Sequence, residues 1–391
     1  MNIQLMDVKR QHEKYASEYE EAALNVLRSG RYIGGEEVTS FENEFASWLG
    51  AKHAVSCANG TEAIVMALRA LGIGSGDEVI TVSWTFFATS EGILTVGARP
   101  VLVDVYPDTY CINVEAAEAA ITEKTKAILA VHFYGNCCDM EKLRAVCKKH
   151  NLWLITDCAQ STGTTYKGER SETLGDIACF SFFPTKILGC DGDGGAIVTD
   201  NEDIATACRA LKAHGSGKDG LSTIKKRFAQ KGEEIPADYP QGESKYYNYV
   251  VGYNSRLDAI QAAILRKKLT HLDEFVLGRR ANAAYYNEAL KDTEYITPFE
   301  EKNTEHAYYI YALKHPKAAE IMDVLKANGI ACGTYYPVPL HLQVPFLAIG
   351  YKAGDFPVTE ELAKTSFAIP VFPELTEEER EFIVATLKSA I

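Results

Sequence analysis

Residues 180–200 read FSFFPTKILGCDGDGGAIVTD. An apolar strand-like run leads to Lys186, glycines follow at Gly189, Gly192, Gly194 and Gly195, and AIVTD opens a second strand. A lysine beyond a buried strand end has two readings. It can snorkel its ammonium to solvent. Or burial can lower the pKa of its amine, which is what a Schiff-base lysine needs. The glycines would let backbone approach a ligand closely. Two other readings of the loop fail. The lysine precedes the glycines, so this is not a Walker A loop. DGDGG is similar to a calcium loop, but Gly195 stands where a third acidic ligand belongs and Ala196 where the turn glycine does.

Outward from this stretch, strand and helix patterns alternate. HAVSC (53–57), GDEVITV, RPVLVDV (99–105), KAILAVHFYG, NLWLITD (151–157) and IACFSFF (177–183) read as strands. NGTEAIVMALRALG, VEAAEAAI and DMEKLRAVCKKH read as helices between them. Near-continuous apolar strands separated by helices predict an α/β fold, with a mostly parallel central sheet covered on both faces. We expect a large domain over residues 1–250 and a smaller C-terminal α/β domain over 251–391. The polar segment 218–248 interrupts the rhythm and reads as a long loop.

Composition narrows the classes. The 391 residues are 47% hydrophobic with a formal net charge of -13. That balance opposes non-specific nucleic-acid binding, which needs a basic surface. No apolar run approaches the ~18 residues of a membrane span. The opening MNIQLMDVKRQHEKYASEYE reads as polar helix, not secretory signal. The ten cysteines include no CxxC pair and the nine histidines no cluster, so we expect reduced thiols, a cytoplasmic location and no metal.

Ligands of parallel α/β sheets bind beyond the carboxyl ends of the strands. After HAVSC comes Asn59-Gly60-Thr61 at a helix start. It reads as a helix cap or as a phosphate cradle of free N–H groups. NLWLITD ends on Asp157, a carboxylate that needs a cation, a salt bridge or several donors. Phe86 and Phe87 follow another strand, as core packing or as an aromatic face. Together with Lys186, these parts match pyridoxal phosphate, which has a phosphate, an aldehyde, a pyridine nitrogen and a flat ring.

At this point the chain resembles the DegT/DnrJ/EryC1/StrS family of nucleotide-sugar aminotransferases, of the aspartate-aminotransferase (type I) fold. The likeness runs through GRYIGGEEVTSFENEFASWLGAKHAVSCANGTEA, GDEVITVSWTFFAT, GARPVLVDV, LITDCAQSTG, SFFPTK, GYNSRLDAIQAAIL and YYPVPLHLQ. The resemblance makes Lys186 the Schiff-base lysine and catalytic base, with Asp157 facing the pyridine nitrogen. It places Gln160 at the ring's phenolic oxygen, Phe86 on the ring face, and Gly60, Thr61 and Ser181 at the phosphate. It brings Asn254 to the phosphate from a neighbouring subunit, which implies a homodimer with shared active sites. Arg256, Tyr32, Tyr335 and Tyr336 fall on the substrate side. The cofactor cycles between pyridoxal and pyridoxamine phosphate, with glutamate as the expected donor and a nucleotide-linked keto sugar as acceptor. Related sugar dehydratases carry histidine at the position of Lys186.

SFFPTKILGCDGDGGA most resembles the branch acting on UDP-2-acetamido-3-keto-glucuronic acid, as in O-antigen and polysaccharide biosynthesis. In that branch a histidine precedes the tyrosine of the Y-P-x-P-L segment, where this chain has Tyr335. Transfer to C4 of a 4-keto-6-deoxy sugar is the alternative, and a pyridoxal phosphate-binding regulatory protein is the reading from another class. Lys218, Lys225, Lys226 and Arg227 are expected either to cover the nucleotide diphosphate or to lie on a solvated insertion.

Overall fold

The computed structural model describes residues 1–391 except 241, 243 and 302. Its strands in chain order begin with β1 (His53–Cys57), β2 (Glu78–Val82), β3 (Arg99–Val103), β4 (Thr125–Val131) and β5 (Trp153–Asp157). The short β6 (Thr165–Tyr166) and β7 (Glu169–Arg170) precede β8 (Ile177–Ser181) and β9 (Gly195–Thr199). Seven of them form one sheet in the order β1-β9-β8-β5-β4-β2-β3. Neighbours from β3 to β8 are parallel, whereas β9 runs antiparallel to both β8 and β1. Parallel partners are usually joined by a crossover helix, and the loop between β8 and β9 holds none.

Both faces of the sheet are covered, and alternation along the strands shows it. In β8, Ile177 and Cys179 join the apolar cluster under helices Gly60–Ala70 and Met140–His150. Ala178 and Phe180 join the opposite cluster, with helices Val8–Ser29, Glu36–Leu49 and Ala259–Thr270. The helix start signals are realised as caps. Asp139 accepts from Lys142 N, and Lys148, Lys149 and His150 occupy the last turn, where cations suit the helix dipole.

A third apolar cluster surrounds the antiparallel pair β11 (Tyr311–Lys314) and β12 (Ser366–Ile369); β10 (Thr304–Glu305) pairs instead with β6. Helices Leu272–Leu290, Ala318–Ala327 and Glu377–Ser389 cover it. The N-terminus belongs here too: Ile3 bridges Ile330, and Arg10 Nη2 pairs with Glu379 at 2.6 Å.

The expected loop over 218–248 is corrected in its first half. Residues Gly217–Gln230 form a helix packed on helix Glu202–Leu211. Leu221, Ile224 and Phe228 supply an apolar stripe at helical spacing, which the lysines between them obscured. Residues 241 and 243 of that segment lie outside the described residues. Lys226 pairs with Asp203, and Arg227 Nη2 donates to Arg69 O at 3.2 Å. In this chain both line a cleft with Trp153, at the amino end of β5. Among the described residues no helix is long and apolar enough to cross a membrane.

Candidate active site

Asp157 ends β5 and is 6% exposed. Its Oδ2 accepts from the Thr89 hydroxyl at 2.8 Å and its Oδ1 from Ala159 N at 3.1 Å. Thr89 is aimed by the first turn of helix Phe87–Thr95, whose chain enters through Phe86. Burial pushes the Asp157 carboxyl up; Thr89, the Ala159 N–H and the charge of Lys186 work against this without cancelling it. A buried carboxylate met by a hydroxyl and an amide, not a cation, is matched to a cationic ligand atom.

Lys186 follows β8 by five residues, its N–H donating to Phe183 O at 2.8 Å. Its Nζ lies 4.4 Å from the centroid of the Tyr309 ring. The glycine loop beyond it serves the fold as much as any ligand, which corrects the expectation. A Cβ on Gly189 would meet Pro184 O at 2.5 Å, and one on Gly195 would meet Asn59 O at 2.5 Å. Lys268, buried, clamps the loop through Gly189 O at 2.8 Å and Asp191 Oδ1 at 2.7 Å.

At the helix start after β1, Asn59 Oδ1 accepts from Glu62 N at 2.9 Å, so the capping reading holds. It does not exclude a cradle, because the Gly60 and Thr61 N–H groups take no part in that cap. Gly60 stands against Ser181, where an added Cβ would lie 2.7 Å from the serine Cβ. Gln160 Oε1 accepts from Tyr134 N at 2.9 Å and its Nε2 donates to the Tyr336 hydroxyl at 3.4 Å. The half-exposed Phe86 ring lies 5.4 Å from that of Tyr336, whose carbonyl accepts from Trp84 Nε1 at 3.0 Å. Tyr134 donates its hydroxyl to Tyr335 O.

The structure thus places Lys186, Asp157, Gln160, Phe86 and Tyr336, and the helix start at Gly60–Thr61 against Ser181, beyond strand ends of one sheet. Tyr32, Asn254 and Arg256 are exposed. Arg256 Nη2 donates to Asn254 Oδ1 at 2.6 Å, and the intervening Ser255 is buried, its hydroxyl accepting from Ala58 N at 3.3 Å. Tyr32 O accepts from Ala259 N at 2.8 Å, next to the isolated bridge between Ile33 and Asp258. Thr89, Tyr134, Ser255 and Tyr309 were not foreseen. Thr85 and Thr89, four apart at a helix start, were a local signal; Tyr309 has none, since its partner Lys186 is remote in sequence.

A model of the DegT/DnrJ/EryC1/StrS aminotransferase family matches residues 13–388. The chain belongs to that family. It is 42% identical to the pleiotropic regulatory protein of Geobacillus stearothermophilus, over 98% of this chain and 97% of that one. It is 38% identical to the UDP-2-acetamido-2-deoxy-3-oxo-D-glucuronate aminotransferase of Pseudomonas aeruginosa, over 98% and 99%. Among solved structures, S. venezuelae DesV in complex with a ketimine intermediate superposes with a TM-score of 0.91 at 34% identity, covering 99% of this chain and 98% of that one. The protein is therefore a pyridoxal phosphate-dependent sugar aminotransferase of the type I fold. The residues present fit the cofactor. The helix start leaves no room for a side chain at Gly60, the buried carboxylate makes no ion pair among the described residues, and a primary amine lies beyond the adjacent strand end.

Proposed function

We propose that this aminotransferase moves the amino group of glutamate to the C3 keto group of UDP-2-acetamido-3-keto-glucuronic acid or a similar 3-keto sugar. The chemistry is carried by a buried carboxylate that accepts from a hydroxyl and an amide, with a lysine amine beyond the adjacent strand end of the same sheet. When bound, pyridoxal phosphate supplies a reactive carbonyl and an electron sink. Asp157 would hold the pyridine N–H, and its charge would keep that nitrogen protonated. The Gly60 and Thr61 N–H groups and the Ser181 hydroxyl would hold the phosphate. Gln160 would meet the phenolic oxygen and Phe86 would cover the ring. Lys186 Nζ would take the proton from the donor's Cα as a base and deliver it as an acid to the carbon that had been the cofactor's carbonyl.

Asn254 and Arg256 are exposed on their own chain, which supports a homodimer in which each subunit completes the other's site. Arg256 then meets the uronate carboxylate, a planar match that lysine would not give. Tyr32, Tyr335 and Tyr336 line the sugar side. We place this activity in the cytoplasm, in the supply of amino sugars for surface polysaccharide such as O-antigen. Incubation with 15N-glutamate and each keto-sugar nucleotide, read by mass and by NMR of the product, tests the assignment. Label at C3 of the UDP-uronate supports it; label only at C4 of a 4-keto-6-deoxy sugar replaces it with the alternative. Absence of label in every acceptor, with cofactor bound, would overturn the assignment.

A further inference from the structure

Tyr309 lies on no strand-end motif, yet it is the residue that Lys186 touches. The lysine Nζ sits 4.4 Å from the Tyr309 ring centroid, over its face. Cations are drawn to such faces, more strongly where water is scarce. The backbone that carries the ring is held: the buried Arg279 donates from Nη1 to the Tyr308 and Tyr309 carbonyls, each at 3.3 Å. Thr185, Arg279, Tyr309 and Tyr335 share the wall of a cavity of ≈ 270 Å³.

We propose that Tyr309 is the resting place of the Lys186 ammonium whenever that amine is not bonded to a carbonyl. The role rests on the aminotransferase reading, in which Lys186 leaves the cofactor in every cycle and must stay within reach. Tyr309 is then a positioning residue: its ring face holds the released cation beside Asp157 and Gln160.

The electrostatics agree with the geometry. Burial pushes the Tyr309 phenol up, but the Lys186 charge, the Thr185 and Lys186 side chains and Arg279 together bring it below the usual phenol range. The other titratable groups facing it are the phenols of Tyr335 and Tyr336. A buried phenol made more acidic reports a cation kept against it.

The test is a pH titration of the full-length protein labelled with [13Cζ]tyrosine, before and after loading with pyridoxal phosphate. The Tyr309 resonance is the one absent from Tyr309→Phe. It should titrate below the ordinary phenol range in the unloaded wild type. It should move up in Lys186→Met, stay low in Lys186→Arg, and move up on loading, which removes the ammonium. A Tyr309 resonance that titrates alike in wild type and Lys186→Met overturns the proposal. So does a loaded, unreduced protein whose Tyr309 has not moved, when borohydride reduction of a separate aliquot shows by mass that Lys186 carried the pyridoxyl group. If Lys186 acquires no pyridoxyl mass, the cofactor assignment falls, while the comparison with Lys186→Met still decides Tyr309.

Discussion

At Asp157 the sheet ends in a carboxyl whose proton affinity is raised by burial. In the folded chain this group binds its proton up to a higher pH than in the unfolded chain. Its contribution to stability therefore falls as pH rises from the ordinary carboxylate range through the raised folded value. A bound pyridinium would offset that cost with a charge-assisted contact. Asp157→Asn removes the buried charge and keeps the shape. Cofactor-free, this variant should melt at the same or a higher temperature than wild type at pH 7 by calorimetry, with the gap closing as pH falls into the carboxylate range. Its amino transfer should be lost all the same. A variant that melts lower at every pH would show Asp157 to be a structural anion. The carboxylate itself was legible, because a charged residue closing an apolar strand demands a partner. Thr89 was legible only as a helix-start threonine; its contact with Asp157 was not, because only the fold brings that helix start to the end of β5.

Among the elements, the start of helix Gly60–Ala70 makes the clearest prediction. A methyl group on Gly60 would lie 2.7 Å from Ser181 Cβ, so helix and strand end must separate to admit it. Gly60→Ala should cost about 1–3 kcal/mol by the usual penalty of overpacking. It should also weaken pyridoxal phosphate binding in a fluorescence titration, with the loss falling on the cofactor's phosphate: affinity for pyridoxal itself should change little. Equal losses for both ligands would move the phosphate elsewhere. Elements were legible where apolar runs and caps coincide, as in β1 and helix Met140–His150. The helix Gly217–Gln230 was hidden because its stripe of Leu221, Ile224 and Phe228 is sparse among lysines, and packing on helix Glu202–Leu211 completes it. The glycine loop was read as ligand-facing, since sequence alone cannot say whether a close backbone neighbour is cofactor or protein; at Gly189 and Gly195 it is protein.

For the molecule as a whole, the proposed dimer turns two exposed residues into parts of a site. If Asn254 acts on the neighbour's cofactor, Lys186→Ala and Asn254→Ala are inactive for reasons lying in different subunits. Random re-association of the two variants should form hybrids with one intact site, restoring about a quarter of wild-type activity. A mixture as inactive as its components would make each site self-contained. The motif order along the chain gave the family, but the geometry of sharing was beyond it, because a subunit contact leaves no periodic trace in one sequence. The central claim, that Lys186 holds the cofactor and begins amino transfer, is tested most directly by the visible absorbance of the purified protein. Wild type loaded with pyridoxal phosphate should show a band that glutamate bleaches. Lys186→Ala should show no such lysine-linked band and should fall in turnover by at least ~10²–10⁴-fold. An unaltered band and undiminished bleaching in Lys186→Ala would contradict the account, and a different amine would have to be found at the end of this sheet.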